Sequence, residues 1–114
     1  MRGFSYSRIV YAIVDIETTG GFATGNGITE IAIVLHDGKE IEGCYHTLVN
    51  PFMVIPRYIV ALTGITNEMV AEAPSFTEIG ETIYGLLKDR VFVAHNVNFD
   101  YSFVKHHLNN CGFI

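Results

Sequence analysis

From Ile9 to Ile16 the sequence reads Ile-Val-Tyr-Ala-Ile-Val-Asp-Ile, an almost unbroken β-favouring run. Such a run suits a central strand covered on both faces. Two acids mark its end, Asp15 within the run and Glu17 just after it. Thr18-Thr19-Gly20-Gly21 then closes the strand, and the loop to Gly25-Asn26-Gly27 is rich in residues that tolerate positive φ.

The rest of the chain reads as partners for that strand. Ile28 to Leu35 is a second apolar run, and Asp37-Gly38 predicts a two-residue hairpin turn into a third strand over Lys39 to Val49. Asn50-Pro51 breaks the third strand. Arg57 to Leu62 has a short helical pattern that stops at Gly64, and Thr66 can cap a turn of helix through Val70. Ser75 and Glu78 form a capping-box signature, opening a helix with Phe76, Ile79, Ile83, Leu86 and Leu87 on one face and an end near Asp89. Val91 to Ala94 is a short strand. A last helix runs from about Asn98 to Asn110, with Phe99, Phe103, Val104, Leu108 and Cys111 apolar and Gly112 as its stop. The order β-β-β-α-α-β-α is a mixed α/β layout in which helices cover a sheet.

Composition bounds the class. A chain of 114 residues that is 49% hydrophobic and 17% charged can bury about two-thirds of its surface, and no repeat, low-complexity tract or linker divides it. No apolar run nears the roughly 20 residues of a transmembrane helix, and the acids after Val14 exclude a signal peptide despite Arg2 and Arg8. These readings predict a soluble cytoplasmic protein of one domain. Cys44 and Cys111 lie in no CxxC or Cys/His cluster and read as buried, reduced thiols. The net charge of −5 argues against a broad nucleic-acid-coating surface, unless phosphates are met through metal ions held by carboxylates.

Asp15 and Glu17 leave the same face of a strand, with α-carbons about 6.6 Å apart. No Lys or Arg lies within six residues on either side. Burying one unpaired carboxylate costs several kcal/mol, and a like-charged neighbour makes the second worse. Solvation at the strand end or an upward-shifted pKa relieves that cost for the acids one by one, whereas a divalent cation explains both at once. Asp100 adds a third acid in the first turn of a helix that directly follows a short strand. Three such acids are the minimum for holding two Mg²⁺ or Mn²⁺ ions about 4 Å apart, a site that activates water and stabilises the departing oxygen of a phosphodiester.

Tyr11-Ala-Ile-Val-Asp15-Ile-Glu17-Thr-Thr-Gly20 and Val93-Ala-His95-Asn96-Val-Asn-Phe99-Asp100 resemble the first two motifs of the DnaQ-like (DEDD) 3′-to-5′ exonucleases. The epsilon proofreading subunit of bacterial DNA polymerase III is the best-known member. Leu62-Thr63-Gly64-Ile65-Thr66-Asn67-Glu68-Met69-Val70 and Ala73-Pro74-Ser75-Phe76 resemble the linking region, so the likeness spans nearly the whole chain. It implies a ribonuclease H-like fold and removal of nucleotides from a single-stranded 3′ end of DNA or RNA. It implies Asp15, Glu17 and Asp100 as metal ligands. Thr18, Thr19, Thr63, Gly64 and Ile65 would lie beside the terminal nucleotide, with Ile65 packed on its base, and His95 and Asn96 would stand at the rim.

The family's third motif, a His or Tyr followed five positions later by a fourth Asp, is absent. Asp37 belongs to the hairpin and Asp89 to a helix end, while His95 to Asp100 already serves the second motif. His106 and His107 have no following acid and read as surface or partly packed, and His36 and His46 carry no signal. The expectation is therefore the N-terminal part of an exonuclease domain over residues 1–114, inactive or weakly active without the general base and the fourth ligand. Its parent would be a free subunit, a polymerase segment or a fusion to another nuclease. Two rival readings stay open: a degenerate module that recruits a polymerase or another nuclease, and an RNase H-type endonuclease.

Overall fold

A computed structural model of the chain describes residues 10–113, so the expectations placed on Arg2, Arg8, Ile9 and Ile114 lie outside the described residues. Within them the order is β1 (Tyr11–Thr18), β2 (Ile28–His36), β3 (Ile41–Leu48), α1 (Arg57–Thr63), α2 (Asn67–Val70), α3 (Phe76–Leu87), β4 (Val91–Val93) and α4 (Val97–Asn110). Three helices stand between β3 and β4, at the three helical segments read from the sequence, although the order β-β-β-α-α-β-α counts only two. No helix among the described residues is long and apolar enough to cross a membrane.

The four strands form one mixed sheet in the order β3-β2-β1-β4, with β1 and β4 parallel and the other neighbours antiparallel. β1 is thus an inner strand, as its composition predicts. Its two faces differ, however. Ala12, Val14, Ile16 and Thr18 are buried, whereas Ile13 and Asp15 are exposed and Tyr11 and Glu17 lie between. The expectation of a strand covered on both faces is corrected: α3 and α4 contribute to one core on one side of the sheet. On that side Phe76, Ile79 and Ile83 of α3 meet Phe103, Val104 and Leu108 of α4 over Ile31 and Ile33 of β2. β1 is apolar on both faces because its outward side chains include Ile13, still 40% exposed.

Local chemistry fixes the connections. The β2–β3 turn spans four residues, Asp37 to Glu40, rather than two, because Asp37 Oδ1 accepts from the Lys39 and Glu40 amides at 2.8 and 2.9 Å and holds a wider loop. Gly64 ends α1 in the left-handed region at φ 79°, and its amide donates to the Val60 carbonyl. Beyond α1, Ile55, Ile59, Ile65 and Val70 form a second small core that also takes in Leu48 at the end of β3. Cys44 is exposed and Cys111 half-buried, both as free thiols, so the expectation of two buried thiols fails at Cys44. Cys44 pairs with Val34 in the β2–β3 register, which puts it on the uncovered face of the sheet.

α3 opens on the capping box that the sequence announces. Ser75 Oγ accepts from the Glu78 amide at 3.1 Å, and Glu78 Oε1 accepts from the Ser75 amide at 2.7 Å. Ser75→Ala is expected to lower stability by about 1 kcal/mol. Urea unfolding should show this as a lower midpoint with an unchanged slope.

Candidate active site

The site forms where β1 outruns its parallel neighbour. β4 pairs only Val91, Phe92 and Val93, with Tyr11, Ala12 and Ile13, so the second half of β1 has no strand on that side. The chain turns there through Ala94, His95 and Asn96 into α4, whose first turn carries Asp100. Asp100 is 6% exposed and shares a hydrogen bond with the Ile16 backbone, in the notch that β4 leaves open. Asp15 and Glu17 flank Ile16 and point to the opposite, uncovered face from its side chain.

The three carboxyls influence one another electrostatically. The Asp100 carboxyl is raised above the ordinary range by burial and then by Asp15, with backbone hydrogen bonds and His95 pulling the other way. Glu17 is raised by burial first, then by Asp15, Glu30 and Asp100. Among the described residues none of the three is ion-paired with Lys or Arg. They are also not closed into a metal-binding cluster, for among the described residues no group of three or more His, Cys, Asp or Glu stands at such spacing. The donor set is all carboxylate oxygen around one buried acid without a cationic partner, which suits a hard divalent ion such as Mg²⁺ or Mn²⁺.

The other candidate residues divide by what already holds them. Thr19 is 1% exposed, donates through Oγ1 to Asn26 Oδ1 at 2.9 Å and accepts from the Gly27 amide at 3.0 Å. Thr18 Oγ1 donates to the Gly20 carbonyl at 2.7 Å. Both hydroxyls therefore close the loop after β1. A β-carbon at Gly20 would come within 2.5 Å of Asn26 Oδ1, so a larger residue there would push aside the Asn26 amide that bonds Thr19 and the Phe22 carbonyl. Thr63 Oγ1 donates to the Ile59 carbonyl and accepts from the Ile65 amide. Ile65 is 4% exposed within the second core, which leaves little of its side chain for a base. His95 and Asn96 are exposed, and Asn96 precedes α4 without capping it through its side chain, so both stand uncommitted beside Asp100.

Sequence reasoning missed Glu30 and His46. Glu30 pairs with Glu17 across β1 and β2, and His46 Nε2 lies 2.6 Å from Glu30 Oε2. The signal was present, since Glu30 interrupts an apolar strand just as Asp15 does. His107, read as surface or partly packed, is half-buried on Phe76 and Phe103 and within 3.1 Å of the Asn26 carbonyl, with burial lowering its pKa.

Comparison with known proteins identifies the family to which this fold belongs. The sequence signature of the exonuclease family of RNase T type matches residues 12–114. The chain belongs to this family of DnaQ-like 3′-5′ exonucleases. A 3′-5′ exonuclease DinG from Staphylococcus haemolyticus is 46% identical over 101 residues, covering 89% of this chain but only 11% of that relative. Among solved structures, exonuclease X in complex with 5′ overhanging duplex DNA matches with a TM-score of 0.71 and 33% identity, over 82% of this chain and 53% of that one. A zinc-bound E. coli exonuclease I complex with single-stranded DNA matches at 0.84 with 16% identity, over 94% and 25%. The latter supports the fold, a ribonuclease H-like mixed sheet with flanking helices.

The raised carboxyls fix a sign for stability in metal-free solution. A folded-state pKa above the unfolded value means that the native chain holds more protons, so stability falls as pH rises from the unfolded carboxyl range into the raised one. Asp100→Asn in the presence of a chelator is therefore expected to unfold at higher denaturant than the parent at neutral pH. The difference should vanish once pH falls below the unfolded carboxyl range. A variant less stable than the parent at neutral pH would refute the burden assigned to Asp100.

Proposed function

We propose that this chain is the nuclease segment of a longer 3′-5′ exonuclease of the DinG type, acting on the single-stranded 3′ end of DNA. The observation that supports this reading is the placement of Asp15, Glu17 and Asp100 about the open end of β1, with no Lys or Arg ion-paired to them among the described residues. These three would hold two divalent cations, Mg²⁺ or Mn²⁺. Such a pair would supply polarisation of the phosphodiester, a more acidic attacking water and stabilisation of the departing oxygen.

The chain's own residues supply position. The backbone bond to Ile16 and the first turn of α4 fix Asp100, and the strand fixes Asp15 and Glu17 two residues apart on one face. The uncommitted His95 and Asn96 stand where the terminal nucleotide would approach. The Thr63-Gly64-Ile65 turn, left-handed at Gly64, offers backbone rather than side chain. Three acids do not supply the general base that takes the proton from water, so full activity is assigned to the longer protein and at most weak activity to these 114 residues.

DNA is favoured over RNA because exonuclease X, 33% identical, is solved in complex with 5′ overhanging duplex DNA. A longer exonuclease is favoured over a free proofreading subunit because the chain matches DinG closely while spanning a small part of it.

The test is hydrolysis of a 5′-labelled single-stranded DNA by the full-length protein with Mg²⁺ or Mn²⁺. Shortening from the 3′ end is expected, and Asp15→Ala should reduce it by about 100-fold or more. Undiminished hydrolysis in that variant, with contaminating nucleases excluded, overturns the assignment.

A further inference from the structure

The uncovered face of the sheet carries a fourth acid that the three-ligand reading does not use. Along β1 and β2 the facing pairs are Ile13 with Val34, Asp15 with Ala32 and Glu17 with Glu30. The first two place an apolar residue on β2. At the third, two carboxylates face each other across neighbouring strands, where side chains start about 5 Å apart and like charges destabilise the sheet. Facing Glu17, Glu30 costs the sheet stability at that place.

Glu30 is also tied. His46, which faces Ala32 from β3, reaches diagonally to Glu30, with Nε2 2.6 Å from Oε2. A carboxylate oxygen only accepts, so His46 carries its proton on Nε2 in this bond. The contact holds one Glu30 oxygen toward β3. Glu30 is about one-third exposed (32%) and His46 well exposed (59%), so neither is packed in place by the core. Leu48, opposite Glu30 on the other side, belongs to the second small core, which closes that flank of the pair.

We propose that Glu30, held by His46, is a positioning residue of the metal site: its fixed negative charge backs Glu17 and turns that carboxylate toward Asp15 and Asp100. This rests on the metal-site reading above. The arrangement does what outer carboxylates and histidines do around metal ligands generally, orienting the ligand and deepening the negative potential at the ion. It also gives the like-charged pair a purpose: repulsion from Glu30 disfavours Glu17 conformers that lean toward β2.

The experiment is a calorimetric Mn²⁺ titration of the 114-residue chain and its variants, with circular dichroism on the metal-free samples to verify folding. Glu30→Gln is expected to weaken Mn²⁺ binding about tenfold. His46→Ala should weaken it in the same direction, and His46→Gln, which keeps a donor for Glu30, should restore it. A cross-strand pair with only a structural role would shift the unfolding midpoint and leave the affinity of the folded chain unchanged. Asp15→Ala separates the two claims. Binding lost in Asp15→Ala but within about twofold of the parent in Glu30→Gln would overturn the role of Glu30 and leave the metal site standing. A parent chain that binds no Mn²⁺ would overturn both.

Discussion

β1 runs for eight residues while β4 pairs with only three of them, and the site depends on that mismatch. A backbone edge left without a strand must find other partners, because unpaired polar groups at a sheet edge are costly once water is displaced. α4 begins at the place where β4 ends, and Asp100 from its first turn meets the Ile16 backbone. A longer β4 would displace Asp100 and leave Asp15 and Glu17 as two acids at a strand end. The short strand thus turns an edge defect into a junction of three carboxylates.

The cost of that junction is electrostatic. Burial and mutual repulsion raise Glu17 and Asp100, and Glu30 adds to the burden on Glu17. Nothing in the described residues relieves it with a Lys or Arg. The fold compensates elsewhere, through the apolar core between the sheet and the α3 and α4 pair and through well-bonded loops such as the one closed by Thr19, Asn26 and Gly27. Such a balance, with strain gathered at one place, is typical of sites kept for chemistry.

Much of this was legible in the chain. Strong local signals predicted every strand to within a few residues, and the Ser75–Glu78 capping box and the Gly64 stop appear where their chemistry requires. Asp15, Glu17 and Asp100 stood out because acids in apolar strands and first helical turns are unusual. What misled was one-sided burial. An apolar run does not reveal whether both faces are covered, and Ile13 on the uncovered face reads no differently from Val14 on the covered one. The hydroxyls of Thr18 and Thr19 and the side chain of Ile65 were likewise read toward a substrate, although local bonds and a second small core already occupy them.

By itself, then, the sequence determined the elements, their caps and the three acids, because those follow from period, propensity and local hydrogen bonding among near neighbours. Only the tertiary structure decided that Glu30 lies opposite Glu17 and that His46 reaches it, since the register between β1 and β2 is set across an irregular loop and a bulge after Glu17. It alone decided that helices cover one face and leave Asp15, Glu17 and Glu30 on the other. Those choices depend on which surfaces pack together, and packing over long separations is not written in any short stretch of chain.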